Sequence, residues 1–130
     1  MKILLDTQVF VWLVNDSPGL GRKSKKLVLS TQNQIYISFI SFFEMTIRAS
    51  LGKITFDPLI MQDLVKMGVV LLPGDCQSLS EYQVFNVNNK DPFDNFLIAT
   101  AKAHKLSLLS SDQKIIETRA TGLEILDAGK

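Results

Sequence analysis

Lys2-Ile3-Leu4-Leu5 is a short apolar run that stops at an acidic residue, Asp6. An apolar run without polar alternation is typical of a strand that is buried on both faces of a parallel sheet. Four more runs suggest strands, namely Ile35 to Ser38, Val69 to Leu72, Ser107 to Leu109 and Leu123 to Leu126. We therefore predict a central parallel sheet of about five strands.

Segments with helical spacing of apolar residues separate these runs. The expected helices are Val9 to Val14, Ser24 to Ser30, Phe39 to Leu51, Leu59 to Lys66, Cys76 to Val84, Pro92 to His104 and Lys114 to Thr118. Gly52 follows the third of them and suits a helix C-cap. Strands that alternate with helices predict an α/β fold, a three-layer α/β/α sandwich. Ligands of such folds bind beyond the carboxyl ends of the strands, so functional residues are expected there.

Length and composition narrow the function classes. The chain has 130 residues, which predicts a single domain over residues 1–130. Its net charge of +1 creates no global field for nucleic acid, so any RNA-binding surface must be local. Cys76 is the only cysteine, which excludes an internal disulfide, and we expect it to be buried. No signal peptide or membrane span is apparent, so we expect a cytoplasmic protein without a membrane partner.

Two acids stand where apolar runs end. Asp6 follows the first run, and Asp112 follows Ser110 and Ser111 after the fourth. Both should therefore lie at the carboxyl edge of the sheet. Aspartate is also a favoured helix N-cap, and this role alone would explain either residue.

The motif Asp91-Pro92-Phe93-Asp94 holds two more acids. Asp91 fits the N-cap of a helix, Pro92 its first position and Asp94 its third, so capping could explain both acids. The sequel, Asn95 to Ala101, is almost wholly apolar and must be deeply buried. We therefore predict that Asp91 is the cap and that Asp94 is drawn towards the edge of the core.

Glu44 is the most informative acid, because capping does not explain it. Its neighbours at helical spacing within Phe39 to Ile47 are largely apolar. A lone buried carboxylate is unfavourable unless it is paired or bound to a cation. An ion pair with Arg48 at i+4, or exposure on a polar stripe with Ser41, would equally account for a glutamate at this position.

Considered together, Asp6, Glu44, Asp94 and Asp112 predict one converging acidic site. Repulsion among four carboxylates would raise their pKa values, so the cluster implies a hard divalent cation. All-oxygen ligands favour Mg²⁺ or Mn²⁺. Such sites are typical of phosphodiester hydrolysis, in which the metal activates water and stabilises charge in the transition state.

Four groups of motifs occur in order along nearly the whole chain. They are Leu4-Leu5-Asp6-Thr7 before Val11-Trp12-Leu13, Ser38-Phe39 with Phe43-Glu44-Met45 and Leu51-Gly52-Lys53, Asp91-Pro92-Phe93-Asp94 with Leu97-Ile98-Ala99, and Ser110-Ser111-Asp112. In this order and spacing they resemble the PIN-domain nucleases, and more narrowly the VapC-like toxins of toxin–antitoxin pairs. The resemblance implies endonucleolytic cleavage of RNA, a homodimer, and a cognate antitoxin that binds the catalytic face.

The resemblance also implies roles for individual residues. The four acids of the predicted site match the metal-binding positions. Thr7 and Ser110 match hydroxyl positions that would orient metal-bound water or the neighbouring carboxylates, and Asp91 matches an auxiliary position. Arg48 and Lys53 are candidates for contacting RNA.

Two positions depart from the family pattern. Relatives often have arginine directly after the second aspartate of the Asp-Pro-Phe-Asp motif and histidine shortly before the motif, where this chain has Asn95 and Asn89. These departures bear on substrate affinity rather than on metal binding.

Two other functions stay open. A phosphoaspartyl phosphatase would use Asp6 as its nucleophile, but it typically needs a second aspartate two residues later, where this chain has Gln8. A catalytically silent PIN-like interaction domain would keep the fold without needing Glu44.

The basic segment Arg22 to Lys26 could bind phosphates, although a solvated helix face explains it better. Core packing explains Phe10, Val11, Trp12 and Val14, and a few of them could line a groove for an antitoxin helix.

Overall fold

The computed structural model describes residues 1–84, 91–120 and 122–130. The elements, in chain order, are β1 (Lys2–Leu5), α1 (Thr7–Val14), α2 (Arg22–Leu29), β2 (Gln34–Ser38), α3 (Phe39–Ser50), α4 (Ile60–Lys66), β3 (Val70–Leu72), α5 (Cys76–Val84), α6 (Pro92–His104), β4 (Ser107–Ser110), α7 (Gln113–Ile116) and β5 (Glu124–Asp127). The strands form one sheet in the order β3-β2-β1-β4-β5, and every pairing is parallel. The predicted five-stranded parallel sheet is confirmed.

Helices cover both faces of the sheet. Ile3 and Leu5 of β1 enter one core, which is completed by apolar residues of α1 to α4. Leu4 points to the opposite face and packs with apolar residues of α6 and α7. Because consecutive residues of a strand face opposite sides, a wholly apolar strand such as β1 serves both cores. The predicted three-layer α/β/α sandwich is confirmed.

The strand order places the first strand at the centre. The chain adds β2 and β3 on one side of β1, then returns to place β4 and β5 on the other side. In the parallel register Leu5 lies beside Ile37 of β2 and Leu109 of β4. The order of the strands thus reverses between β1 and β4, and ligands of open α/β sheets bind at such a switch point.

The predicted C-cap after α3 is confirmed. Gly52 has a φ of 73°, and its N–H donates to the carbonyl of Ala49 at 3.0 Å. The N–H of Lys53 donates to the carbonyl of Arg48 at 2.9 Å. This pair of hydrogen bonds is a Schellman motif, in which glycine adopts the left-handed conformation without a steric penalty.

Some element boundaries differ from the predicted ones. The first helix begins at Thr7 rather than Val9 because Asp6 caps it by accepting from the N–H of Val9. The last strand is shifted by one residue because Asp127 pairs with Ser110 at the end of β4. In the described part of the chain, no helix has the length and apolar character of a membrane span.

The expectation that Cys76 is buried is wrong, because its side chain is exposed. This cysteine begins α5, and the buried residue of that helix is Ser78. The described contacts of α5 are chiefly with α6 rather than with the sheet. A helix in this outer position needs few buried apolar residues, so a small hydrophobic side chain can remain at the surface.

Candidate active site

A cavity of about 250 Å³ lies at the carboxyl edge of the sheet, at the switch point between β1 and β4. The described residues that line it are Asp6, Thr7, Gln8, Glu44, Arg48, Asp91, Asp94, Ser111 and Asp112. The structure therefore brings the four predicted acids to one cavity, although they come from four separate parts of the chain. It adds a fifth carboxylate, that of Asp91, and the guanidinium of Arg48.

Asp6 is buried at the end of β1 and accepts three hydrogen bonds. Its Oδ1 accepts from the N–H of Val9 at 2.9 Å, which is the N-cap bond of α1. Its Oδ2 accepts from the N–H of Ser111 at 3.2 Å and from the hydroxyl of Ser110. Asp6 can therefore cap α1 and line the cavity at the same time, because its two carboxylate oxygens have different partners.

Burial raises the pKa of Asp6 above its ordinary value. The hydrogen bonds from Ser110, Val9 and Ser111 oppose this shift, and the nearby charge of Asp112 adds to it. A carboxyl with a raised pKa in the folded state binds its proton more tightly there than in the unfolded chain. The metal-free protein therefore loses stability as the pH rises from the ordinary aspartate pKa to the raised one. A cation beside Asp6 would favour its charged form and offset that loss.

Ser110 connects two of the acids at the end of β4. Its hydroxyl donates to Asp6 Oδ2 and accepts from the N–H of Asp112 at 3.0 Å. Asp112 in turn caps α7, because its Oδ1 accepts from the N–H of Lys114 at 2.8 Å. The serine thereby fixes the rotamer of Asp6 relative to the start of the loop that carries Asp112.

Glu44 is buried on α3, and both of its carboxylate oxygens have partners. Its Oε1 lies 3.0 Å from the hydroxyl of Thr7, which lies equally far from the hydroxyl of Ser41. Threonine has a single hydroxyl proton, so donation to Glu44 leaves Thr7 to accept from Ser41. Glu44 Oε2 pairs with Arg48 Nη2 at 2.5 Å. Glu44 is therefore both buried and paired with Arg48 at i+4.

Asp91 and Asp94 enter the cavity from the start of α6. Asp91 is the N-cap as predicted, because its Oδ1 accepts from the N–H groups of Phe93 at 2.9 Å and Asp94 at 3.4 Å. Asp94 lies in the first turn, partly buried, as the apolar sequel predicted. Asn95 is not among the described lining residues. Asn89, the other departure from the family pattern, lies outside the described residues.

Three residues change the composition of the predicted site. Ser41 is fully buried and supports Thr7, which the interpretation of a polar stripe did not predict. Its spacing of three residues from Glu44 places both on one face of α3 and was the available signal. Gln8 also lines the cavity. Lys53 is exposed beyond the end of α3 and is not one of the described lining residues.

The donors of this cavity suit a hydrated hard cation. All of the candidate ligands are oxygens, which favour Mg²⁺ or Mn²⁺ over softer metals. Within residues 1–84, 91–120 and 122–130, no three His, Cys, Asp or Glu side chains are placed to hold one ion together. Mg²⁺ is usually held by only one or two carboxylates and keeps several of its waters. The cavity of about 250 Å³ has room for such an ion with part of its hydration shell.

An apolar groove of about 430 Å³ adjoins the acidic cavity. Residues of α1, α3 and the start of α4 line it together with the segment 54–57, and they include Val11, Val14 and Met45. Gln8 and Arg48 line both the groove and the cavity. Phe10 and Val11 line the groove and also pack in or against the core, whereas Val14 lines the groove with about half of its surface exposed.

Comparisons with known proteins agree with the fold. The sequence model of the PIN domain family matches residues 3–120. The solved structure of VapBC2 from Rickettsia felis, bound to a DNA fragment from its promoter, is 16% identical over 98% of each chain with a TM-score of 0.67. VapBC-1 from nontypeable Haemophilus influenzae is 20% identical over 100% of each chain with a TM-score of 0.65. FitAcB from Neisseria gonorrhoeae is 18% identical over 97% of each chain with a TM-score of 0.64. A search of curated protein sequences found no match.

Proposed function

Because the chain belongs to the PIN domain family, we propose that it is an endoribonuclease that depends on Mg²⁺ or Mn²⁺, with residues 1–130 forming a single nuclease domain. The observation that carries the proposal is the one cavity that collects four acids from the ends of β1 and β4, from α3 and from α6. A cavity with this excess of negative charge repels a phosphodiester on its own. A divalent cation bound by the acids would neutralise their charge and attract the phosphate, so we infer that the acids are its ligands.

In this proposal Asp6, Glu44, Asp94 and Asp112 are the metal-binding acids, of which one or two bind the cation directly and the others bind it through its waters. When bound, the cation supplies Lewis-acid chemistry that activates water and stabilises negative charge on the phosphate. The remaining residues keep the ligands in place: Ser110 orients Asp6 and Thr7 orients Glu44. Fixing the ligands before the substrate arrives lowers the reorganisation needed during the reaction.

The RNA contacts in this proposal are Arg48 and Lys53. Arg48 lines the cavity, and the guanidinium fork matches the geometry of a phosphate. Lys53 is exposed just past the end of α3 and would act as a point charge outside the cavity. Since Asn95 is neutral, these two cations would carry the contact with the RNA backbone that the arginine of other family members offers.

Two alternatives are less well supported by the cavity. A phosphoaspartyl phosphatase needs an acid where Gln8 stands, and the amide of Gln8 cannot take or give the proton. A silent interaction domain has no need for Glu44, whose burial is unfavourable unless its partners compensate for it. In this chain Thr7 and Arg48 both serve to hold that carboxylate at the cavity.

The purified chain should cleave RNA only in the presence of Mg²⁺ or Mn²⁺. Removing divalent ions with EDTA should stop cleavage, and an excess of Mg²⁺ should restore it, because the acids need a cation to accept a phosphate. Cleavage sites mapped on total cellular RNA would measure this activity. Undiminished cleavage in EDTA would rule out the metal-dependent mechanism, and a failure to bind divalent ions would favour the silent domain.

We also propose that the chain is a toxin with a cognate antitoxin protein as partner. Its structural neighbours include VapBC and FitAcB proteins. The apolar groove is lined mainly by apolar side chains, a surface of the kind on which the apolar face of a helix can bind. Because Gln8 and Arg48 border both spaces, a segment in the groove would reach the acidic cavity and compete with RNA.

The proposed homodimer is supported by an exposed aromatic cluster beside the cavity, formed by Phe39, Phe43 and Phe93. Phe39 and Phe43 are 52% and 47% exposed, and their rings stack at 6.4 Å. Phe43 also contacts Phe93, with ring centroids 6.3 Å apart. Contiguous exposed apolar rings mark interaction surfaces, and a self-complementary patch is what a two-fold dimer requires.

Phe43→Ser should therefore convert the dimer to a monomer, which light scattering after gel filtration would measure. Serine removes the central ring of the aromatic cluster and leaves the core untouched. The matched control is Leu29→Ser on α2, where an apolar side chain is 62% exposed outside this cluster. A Phe43→Ser protein with the mass of the wild-type dimer would exclude this surface as the interface.

A further inference from the structure

Arg48 is the cation of the acidic cavity. Among the described lining residues it has the only positive side-chain charge, opposite five carboxylates. Its Nη2 lies 2.5 Å from Glu44 Oε2. The two side chains differ in exposure, with 10% for Glu44 and 46% for Arg48. The glutamate is thus the fixed member of the pair, and the arginine is the member with room to move.

The ion pair occupies one of the two Glu44 oxygens that a cation can bind. Glu44 Oε1 accepts a hydrogen bond from the neutral hydroxyl of Thr7, whereas the partner of Oε2 is the charged Arg48. In the structure Arg48 holds that oxygen. A guanidinium and a divalent ion on the same carboxylate oxygen would repel each other, which favours the departure of Arg48 when the ion binds.

A change of side-chain rotamer would give Arg48 a second position without any movement of the backbone. Its side chain borders the apolar groove as well as the acidic cavity. A long arginine side chain can keep its apolar stem on such a surface while its charged end moves into solvent. Because Arg48 lines both spaces, a guanidinium in that position would stay close to the cavity, where its fork of N–H donors can bind a phosphate of a nucleic-acid backbone.

We propose that Arg48 is an exchangeable counter-ion. It holds Glu44 Oε2 in the metal-free protein, leaves that oxygen when a divalent cation binds, and then is free to bind a phosphate of the RNA backbone. Arg48 is therefore a positioning residue before the metal binds and a substrate contact afterwards. The inference rests on the proposed function, because it assumes that Glu44 is a metal ligand.

The exchange can be observed by nuclear magnetic resonance without RNA and without catalysis. The chain has only three arginines, Arg22, Arg48 and Arg119, so three side-chain Nε–H signals are expected. The Arg48→Met variant identifies the signal of Arg48 by its loss. On titration with MgCl₂ this signal should move towards its position in Glu44→Gln, where the ion pair is absent. The signals of Arg22 and Arg119 should stay unchanged.

The backbone N–H of Ser111 reports metal binding independently, because it donates to Asp6. A shift of the Ser111 signal with an unchanged Arg48 signal would overturn the exchange and leave the proposed function intact. No shift at either position at saturating MgCl₂ would overturn both. The two failures are therefore distinguishable.

Calorimetric titration with MgCl₂ gives a second readout. Arg48→Met should bind Mg²⁺ several-fold more tightly than the wild type, because Glu44 Oε2 is no longer held, and its KM for RNA should rise because the phosphate contact is lost. Arg22→Met is the matched control on α2, outside the described lining of the cavity, and should bind Mg²⁺ like the wild type. Equal Mg²⁺ affinity of Arg48→Met and wild type would contradict competition at Glu44.

Discussion

Asp6→Asn should abolish the proposed RNA cleavage in a protein that remains folded, and this is the largest effect that we expect from a single substitution in the proposed site. The amide removes the negative charge that a divalent cation requires and keeps an oxygen that can accept the N-cap bond from Val9. Loss of a residue that merely supports a ligand costs about 10- to 100-fold in activity or metal affinity. Loss of the ligand charge itself should exceed that range.

Asp16→Asn is the matched control for this experiment. Asp16 is exposed, pairs with Lys25 and lies outside the described lining of the cavity. Cleavage of total cellular RNA should be lost in Asp6→Asn and retained in Asp16→Asn, with circular dichroism showing a native fold in both. An amide that keeps the bond from Val9 loses the bond from the Ser111 N–H, but it also removes the unfavourable burial of a charge, so the variant should stay folded. Wild-type cleavage in Asp6→Asn would remove this residue from the catalytic site.

The strands could be predicted from the sequence because the residues of a buried parallel strand form an uninterrupted apolar run. All five strands lie within two residues of their expected positions. The strand order, by contrast, depends on where each crossover packs, and no single run contains that information. The one-residue shift of β5 has the same origin, because the pairing of Asp127 with Ser110 sets its register.

The location of the acids at the ends of the strands could be predicted from the sequence. The hydrogen bonds that hold the site together could not. Asp6 and Asp112 follow apolar runs that end at the same edge of the sheet, so their proximity follows from parallel pairing. The hydroxyl pair of Thr7 and Ser41 depends on how α1 packs against α3, which no local pattern specifies. The exposure of Cys76 was missed for a similar reason, since it depends on α5 lying outside α6 rather than on the sheet.

Leu108→Ala should lower the free energy of unfolding by about 2 to 5 kcal/mol, the range for large-to-small substitutions in a core. Leu108 lies fully buried in β4 and packs in the core that contains Leu97 and Ile98 of α6. The rigid sheet on one side and α6 on the other leave little freedom to close the resulting void. The midpoint of urea unfolding at a constant m-value would measure the loss.

The matched control for the core is Leu29→Ala, because this leucine is 62% exposed and should change stability by less than about 0.5 kcal/mol. Equal midpoints for the two variants would contradict the assigned core.

Leu108→Ala and Asp6→Asn together distinguish an effect on stability from an effect on cleavage. Leu108 and Ser110 share one strand, so a Leu108→Ala protein that is still folded keeps the hydroxyl that orients Asp6 and should cleave RNA. Asp6→Asn should show the reverse, a native stability without cleavage, because the sheet positions the acids but takes little of its stability from their charge.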